Sequence, residues 1–228
     1  MSSLNTIIFS LLGGILPALL WLWFWLKEDR LHPEPKTRIL LVFVAGMVSV
    51  FVVLPFEKFV YSLTLSSISL ITIILWAITE EVFKFITAYF TALKNKVADE
   101  PIDAVIYMIT AALGFSALEN TLFLFNLIDT GLFSESIITG NSRFLGATLL
   151  HVASSATIGV MIALAFYKRP LIKKVFLCTG IAMSVLLHTV FNLLILKVQD
   201  DLFFVFTGVW VLIVLLIVMI EKIKDVRS

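Results

Sequence analysis

The chain has 228 residues, of which 60% are apolar and only 14% charged, with 17 Lys and Arg against 16 Asp and Glu. An ordinary soluble domain carries roughly 45–50% apolar and about 25% charged residues. That difference excludes a soluble globule, a disordered tail and a nucleic-acid-binding protein, because so few charges could not solvate a surface of this size.

The apolar stretches run, in chain order, over 1–26, 39–56, 66–93, 102–128, 144–167, 175–196 and 202–220. A bilayer core of about 30 Å needs about 20 helical residues. The expectation is therefore an all-α polytopic membrane protein, a seven-helix bundle forming one domain over 1–228. Continuous runs without alternation exclude a transmembrane barrel. The first stretch lacks a basic start and a small-residue cleavage site, so it reads as a span and not as a removed signal peptide. The Pro-containing segments His32-Pro33-Glu34-Pro35 and Arg169-Pro170 read as turns, and 129–143 as the longest loop.

Orientation follows from the short loops. Lys27, Arg30, Lys36, Arg38, Lys94, Lys96, Lys168, Arg169, Lys173, Lys174, Lys222, Lys224 and Arg227 fall on one side; Lys58, Arg143 and Lys197 fall on the other. This predicts an outer N-terminus and a cytoplasmic C-terminus, in a multi-pass protein of a cytoplasmic membrane whose first partner is the lipid bilayer. The single cysteine, Cys178, excludes an intrachain disulfide and a cysteine-based zinc site.

Four charges lie deep in the spans: Glu80, Glu81 and Lys84 in the third, Glu119 in the fourth. His151 and His188 join them from the fifth and sixth. Each such charge costs at least about 2.5–3.5 kcal/mol at mid-bilayer, so a chain keeping several uses them. At about 1.5 Å per residue, Glu80, Glu119, His151 and His188 sit about 21–26 Å from the basic boundary, in one layer toward the outer face. Glu80, Lys84, Thr87 and Thr91 share a helical face, with Glu81 on its flank. Ser116, Glu119 and Asn126 with neighbouring Asn120, then His151, Ser154 and Ser155, then Ser184, His188 and Asn192, supply three further polar stripes. Together they predict a wet cavity inside the bundle, although Glu81 with Lys84 also reads as a purely structural pair.

Adjacent carboxylates can supply a general base for water, and His and Asn side chains can donate to an oxyanion. These are the parts of a peptide hydrolase. Glu80, His151 and His188 equally match a two-His, one-carboxylate zinc set, so the residues themselves leave a metal open. No H-E-x-x-H occurs.

Glu80-Glu81-Val-Phe-Lys84 (E-E-x-x-K), Phe115-Ser-Ala-Leu-Glu119-Asn120 (F-x-x-x-E-N), His151 with Ser154 and Ser155, and His188-Thr-Val-Phe-Asn192 (H-x-x-x-N) follow one another in four successive spans. In this order they resemble the PrsW intramembrane proteases, relatives of the CAAX-prenyl-protease and bacteriocin-processing enzymes. The resemblance covers about 66–196, the expected catalytic core. It implies a bacterial protease that makes the first, outer-side cut in a single-span anti-sigma factor. It implies that Glu80 and Glu81 activate water, with Glu80 preferred. His188 and Asn192 would bind the oxyanion, while Glu119 and His151 position water or relay a proton. Lys84, Asn120, Ser154 and Ser155 would support them, with no obligatory cofactor. A proton- or ion-coupled transporter is the competing expectation, since buried Glu, His and Lys also build proton relays. The absence of internal repeats and of proline in spans three to six weighs against it. A nonenzymatic scaffold and a prenyl-protein protease are further alternatives.

Overall fold

A computed structural model describes residues 3–29, 32–64, 67–197 and 202–224. Arg30, Ser66 and Arg227, which enter the topology and boundary expectations, lie outside the described residues. The described chain is helical throughout: α1 (Ser3–Trp25), α2 (Lys36–Leu63), α3 (Leu70–Ala88), α4 (Pro101–Asp129), α5 (Phe133–Ser142), α6 (Thr148–Leu164), α7 (Pro170–Lys197) and α8 (Leu202–Lys224). A π-helical turn, Arg143–Ala147, joins α5 to α6, and a second, Tyr89–Leu93, extends α3. With α5 and α6 counted as one rod, seven rods form the bundle, as an all-α polytopic membrane protein requires.

Six rods are long and apolar enough to cross a membrane. The seventh is α3, whose composition falls short because it carries Glu80, Glu81 and Lys84, all buried within the bundle. Its length suffices: nineteen α-helical residues and the five-residue π turn. A capping box starts it, Ser69 Oγ accepting from the Thr72 backbone N–H and Thr72 Oγ1 from that of Ser69.

Helix α4 is the axis of the bundle and is buried along its membrane-crossing length. Pro101 opens it at the first helical position, where a missing N–H costs nothing. Asp103 accepts the backbone N–H groups of Asp99 and Glu100 at 2.9 and 2.7 Å. Helices α1, α2 and α6 pack directly on it. A methyl group on Gly114 would stand 2.0 Å from the carbonyl oxygen of Phe43, so glycine lets α2 and α4 touch backbone to backbone. Outward faces carry exposed Leu40, Phe51, Leu171, Leu186 and Phe203, the inverse of a soluble surface and suited to lipid.

Two boundaries differ from the expectation. The expected outer loop over 129–143 is mostly the helix α5: Gly131, at φ 86°, ends α4 in a tight turn, and the chain re-enters a helix at Phe133. Polar Ser, Asn and Thr residues hid this short helix. The second span, expected to end at Phe56 ahead of Glu57 and Lys58, also continues to Leu63. The freed backbone group at a proline inside a membrane helix can be satisfied locally, so Pro55 does not end it.

Candidate active site

Helix α3 points Glu80, Glu81 and Lys84 into the space between α4, α6 and α7, and all three are buried. Lys84 Nζ donates to Glu81 Oε1 at 2.8 Å, to Glu80 Oε2 at 3.3 Å and to His151 Nδ1 at 2.8 Å. Glu81 is the hub. It also accepts from Ser154 Oγ (3.0 Å), Ser155 Oγ (2.8 Å), Ser184 Oγ (2.9 Å) and His188 Nδ1 (2.8 Å). Three helices, α3, α6 and α7, thus meet on one carboxylate. Interhelical hydrogen bonds in membranes contribute roughly 0.6–2 kcal/mol each, so this network is a main fastener of the bundle. Glu81 therefore sits at the centre of the polar layer and not on its flank.

Glu119 forms a second station. Its Oε2 lies 2.9 Å from Arg143 Nη2 and 2.9 Å from His151 Nε2. With Glu119 accepting the Nε2 proton, His151 Nδ1 is free to accept from Lys84, and the ring bridges the two stations as a neutral tautomer. Arg143 Nε also donates to Asn120 Oδ1, and its guanidinium stacks 4.0 Å over Phe123. The π turn that begins at Arg143 sets its direction; such turns often occur at functional sites.

A cavity of about 360 Å³ opens beside these groups, lined by Glu80, Glu119, Arg143, His151, His188 and Asn192 among others. Glu81, Lys84, Ser154 and Ser155 stand behind it. His188 Nε2 faces Glu80 Oε1 at 3.8 Å. The rings of His151 and His188 meet edge to face with centroids 5.2 Å apart. The Asn192 side-chain amide has no partner among the described residues and borders the cavity.

The structure thus brings together Glu80, Glu81, Lys84, Glu119, His151, Ser154, Ser155, His188 and Asn192. Asn120 is one step removed, bonded to Ser116 and Thr148. The expected stripes do not all converge. Asn126 is exposed two turns beyond Glu119 on α4, and the Thr91 carbonyl accepts from Arg38 of α2. The polar space therefore opens at the α5 end and does not run down α3. Two residues join that the sequence reading placed outside the membrane. Arg143 is one. Glu57 is the other: the continuation of α2 carries it into electrostatic reach of Glu80 and Glu119. Their signal was a charge just beyond an apolar run, which reads equally well as a loop.

Glu80, His151 and His188 each offer a ligand atom, all within 4.8 Å of one another. Two imidazoles and a carboxylate fit a catalytic zinc ion by donor type, with Glu81 on His188 as the outer partner such ligands usually have.

A separate acidic cluster occupies the basic-loop end. Asp29, Glu34 and Asp103 converge there, and Tyr107 donates its hydroxyl to Glu34. Burial, with repulsion from Asp103, pushes the Asp29 carboxyl up to about 6. Burial pushes Glu34 up to about 8, against the Tyr107 hydrogen bond and with Asp103 adding to the rise.

A buried Glu–His–Lys centre bordering an open cavity inside a multi-pass helical bundle defines the class: a membrane protein built for chemistry at a site within the bilayer. The profile of the PrsW family of intramembrane metalloproteases matches residues 34–219. The chain belongs to that family, and so is an intramembrane protease and a multi-pass bacterial membrane protein. Protease PrsW of Halalkalibacterium halodurans is 28% identical over 221 residues, covering 95% of this chain and 96% of the relative. Protease PrsW of Geobacillus kaustophilus is 26% identical over 194 residues, covering 82% and 80%. Protease PrsW of Clostridioides difficile is 24% identical over 193 residues, covering 80% and 77%. No solved structure shows a significant match.

Proposed function

We propose that the protein makes the first, outer-side cut in a single-span membrane substrate of the anti-sigma factor type, using Glu80 as general base. One observation carries this reading. Of the three carboxylates in the polar layer, Glu81 is matched by Lys84 at 2.8 Å and Glu119 by Arg143 at 2.9 Å. Glu80 shares Lys84 only at 3.3 Å and borders the cavity. It is the carboxylate left to take a proton from water.

The hydroxide formed as Glu80 takes that proton adds to the scissile carbonyl. Asn192 donates its side-chain amide to the oxyanion, and His188 donates from Nε2 in its imidazolium form, with Glu81 holding the Nδ1 proton. The proton returns from Glu80 to the leaving amine as the peptide bond breaks. Glu81 fixes the His188 ring through Nδ1, and Glu119 fixes His151.

If a zinc ion is bound, Glu80, His151 and His188 would hold it, and it would supply Lewis-acid activation of water. We place the metal-free route first because Lys84 already sets its ammonium among those donors, 2.8 Å from His151 Nδ1 and 3.3 Å from Glu80. The test is cleavage of single-span membrane proteins in proteoliposomes by wild type, Glu80→Gln and His188→Ala. Folded variants that both cut at the wild-type rate would end the assignment of the chemistry to Glu80 and His188. Full activity in excess chelator supports the glutamate route, and loss restored by zinc would overturn it.

A further inference from the structure

A second cavity, of about 380 Å³ and almost wholly apolar, lies in the same inter-helix gap as the catalytic one. Both are framed by α7 and α8 and floored by α6. On α7 the upper cavity takes His188 and Asn192, and the lower takes Met183 and Leu187. On α8 the upper takes Phe206, and the lower takes Leu215 and Met219. On α6 the upper takes His151, and the lower takes Ala153 and Thr157. The two cavities are stacked along one groove. Helix α8 rests on α6 and meets α7 only marginally, so the groove is open sideways, where Met183 and Leu215 are exposed.

We propose that this groove is the docking site for the substrate's own transmembrane helix, with that helix's outer end lifted over His188 and Asn192. The proposal rests on the protease reading above and adds the face by which the substrate enters. Three features select a helix over a lipid chain. The groove is continuous with the catalytic cavity. Its floor is small where it must be approached, at Ala153 and Thr157, as close helix packing requires. Three of the chain's six methionines, Met161, Met183 and Met219, line it, giving a pliant wall suited to varied apolar side chains. From His151 down to Leu164, α6 offers about 20 Å of floor at about 1.5 Å per residue. That is most of a single span's length and leaves its outer end at the site.

The test places a photoreactive benzophenone side chain at Met183 or Leu215 in the groove. Val48 or Phe51, on the lipid-facing side of α2, serves as control. Each variant is reconstituted with a synthetic single-span peptide of about 20 apolar residues flanked by lysines. Capture of the peptide from Met183 and Leu215, several-fold above Val48 and Phe51 and reduced by Thr157→Trp, is the expected result. Equal capture at all four positions would overturn the proposal. So would capture of a photoreactive phospholipid at Leu215 that the peptide fails to displace. Cleavage by wild type and Glu80→Gln in the same vesicles reports separately on the protease reading, which stands or falls whatever the capture pattern.

Discussion

Two regions of this protein each gather three carboxylates, and they resolve the crowding in opposite ways. At the basic-loop end, Asp29, Glu34 and Asp103 meet with a tyrosine hydroxyl as their nearest donor, and the loop carboxyls respond with raised pKa values. In the membrane layer, Glu80, Glu81 and Glu119 meet with Lys84 and Arg143 threaded between them. The first arrangement raises proton affinity beside water. The second matches two carboxylates with cations and turns the third toward a cavity. Buried like charges become a reactive centre only when counter-charges are built in unequal number.

The largest way to break this contrast is to remove its cation. Lys84→Met leaves Glu81 uncompensated at the junction of three helices. Breaking one side of a buried ion pair costs about 3–5 kcal/mol. A large fall in melting temperature in detergent is the expected outcome, and unchanged melting would show that the network does not fasten the bundle.

Arg143 tests the second station more gently. Arg143→Gln frees Glu119 and leaves His151 without a fixed Nε2 partner. Loss of a group that orients a site residue through another typically costs about 10–100-fold in activity. Reduced turnover with an almost unchanged melting temperature is expected. Arg143→Lys should recover only part, since an ammonium cannot engage Glu119 and Asn120 as a planar fork does.

The acidic cluster gives a smaller, pH-dependent effect. A carboxyl whose folded-state pKa is raised stabilises the fold fully below its ordinary value, and that contribution fades as pH rises through the folded value. Asp29 rises from 3.8 to about 6 and Glu34 from 4.5 to about 8. The turn after α1 should therefore be tightest in acid and loosen between these limits. The melting temperature in detergent is the observable. It should fall from pH 5 to pH 9 in wild type, and Asp29→Asn with Glu34→Gln should reduce that dependence.

The smallest effect expected is at Glu57, whose carboxyl stands within electrostatic reach of Glu80 without bordering the cavity. Glu57→Gln should shift the pH–rate profile more than the maximal rate. A profile identical to wild type would remove Glu57 from the site.

The membrane class, the helical rods and the meeting of Glu80, Glu119, His151 and His188 in one layer were legible in the sequence. Apolar run length and axial rise are local quantities, and four buried charges have few places to go. The division of labour between Glu80 and Glu81 was only partly legible. A helical wheel puts Glu81 on the flank, while the crossing of α6 and α7 makes that flank the centre. Arg143 and Glu57 were misplaced because helix continuation through a π turn and past the charged pair Glu57–Lys58 depends on tertiary packing. The helical stripe ending in Asn126 failed because periodicity fixes a face and not how far along it the cavity reaches, and Asn126 lies about 10 Å beyond Glu119.

The central claim is that two adjacent glutamates do different jobs, one fastening the bundle and the other activating water. Glu80→Gln and Glu81→Gln, reconstituted side by side and measured for both melting temperature and cleavage of one single-span substrate, test it directly. Glu80→Gln should keep its fold and lose about 10²–10⁴-fold in rate, the usual contribution of a general base. Glu81→Gln should lose stability first. Wild-type cleavage by a folded Glu80→Gln protein would contradict the claim.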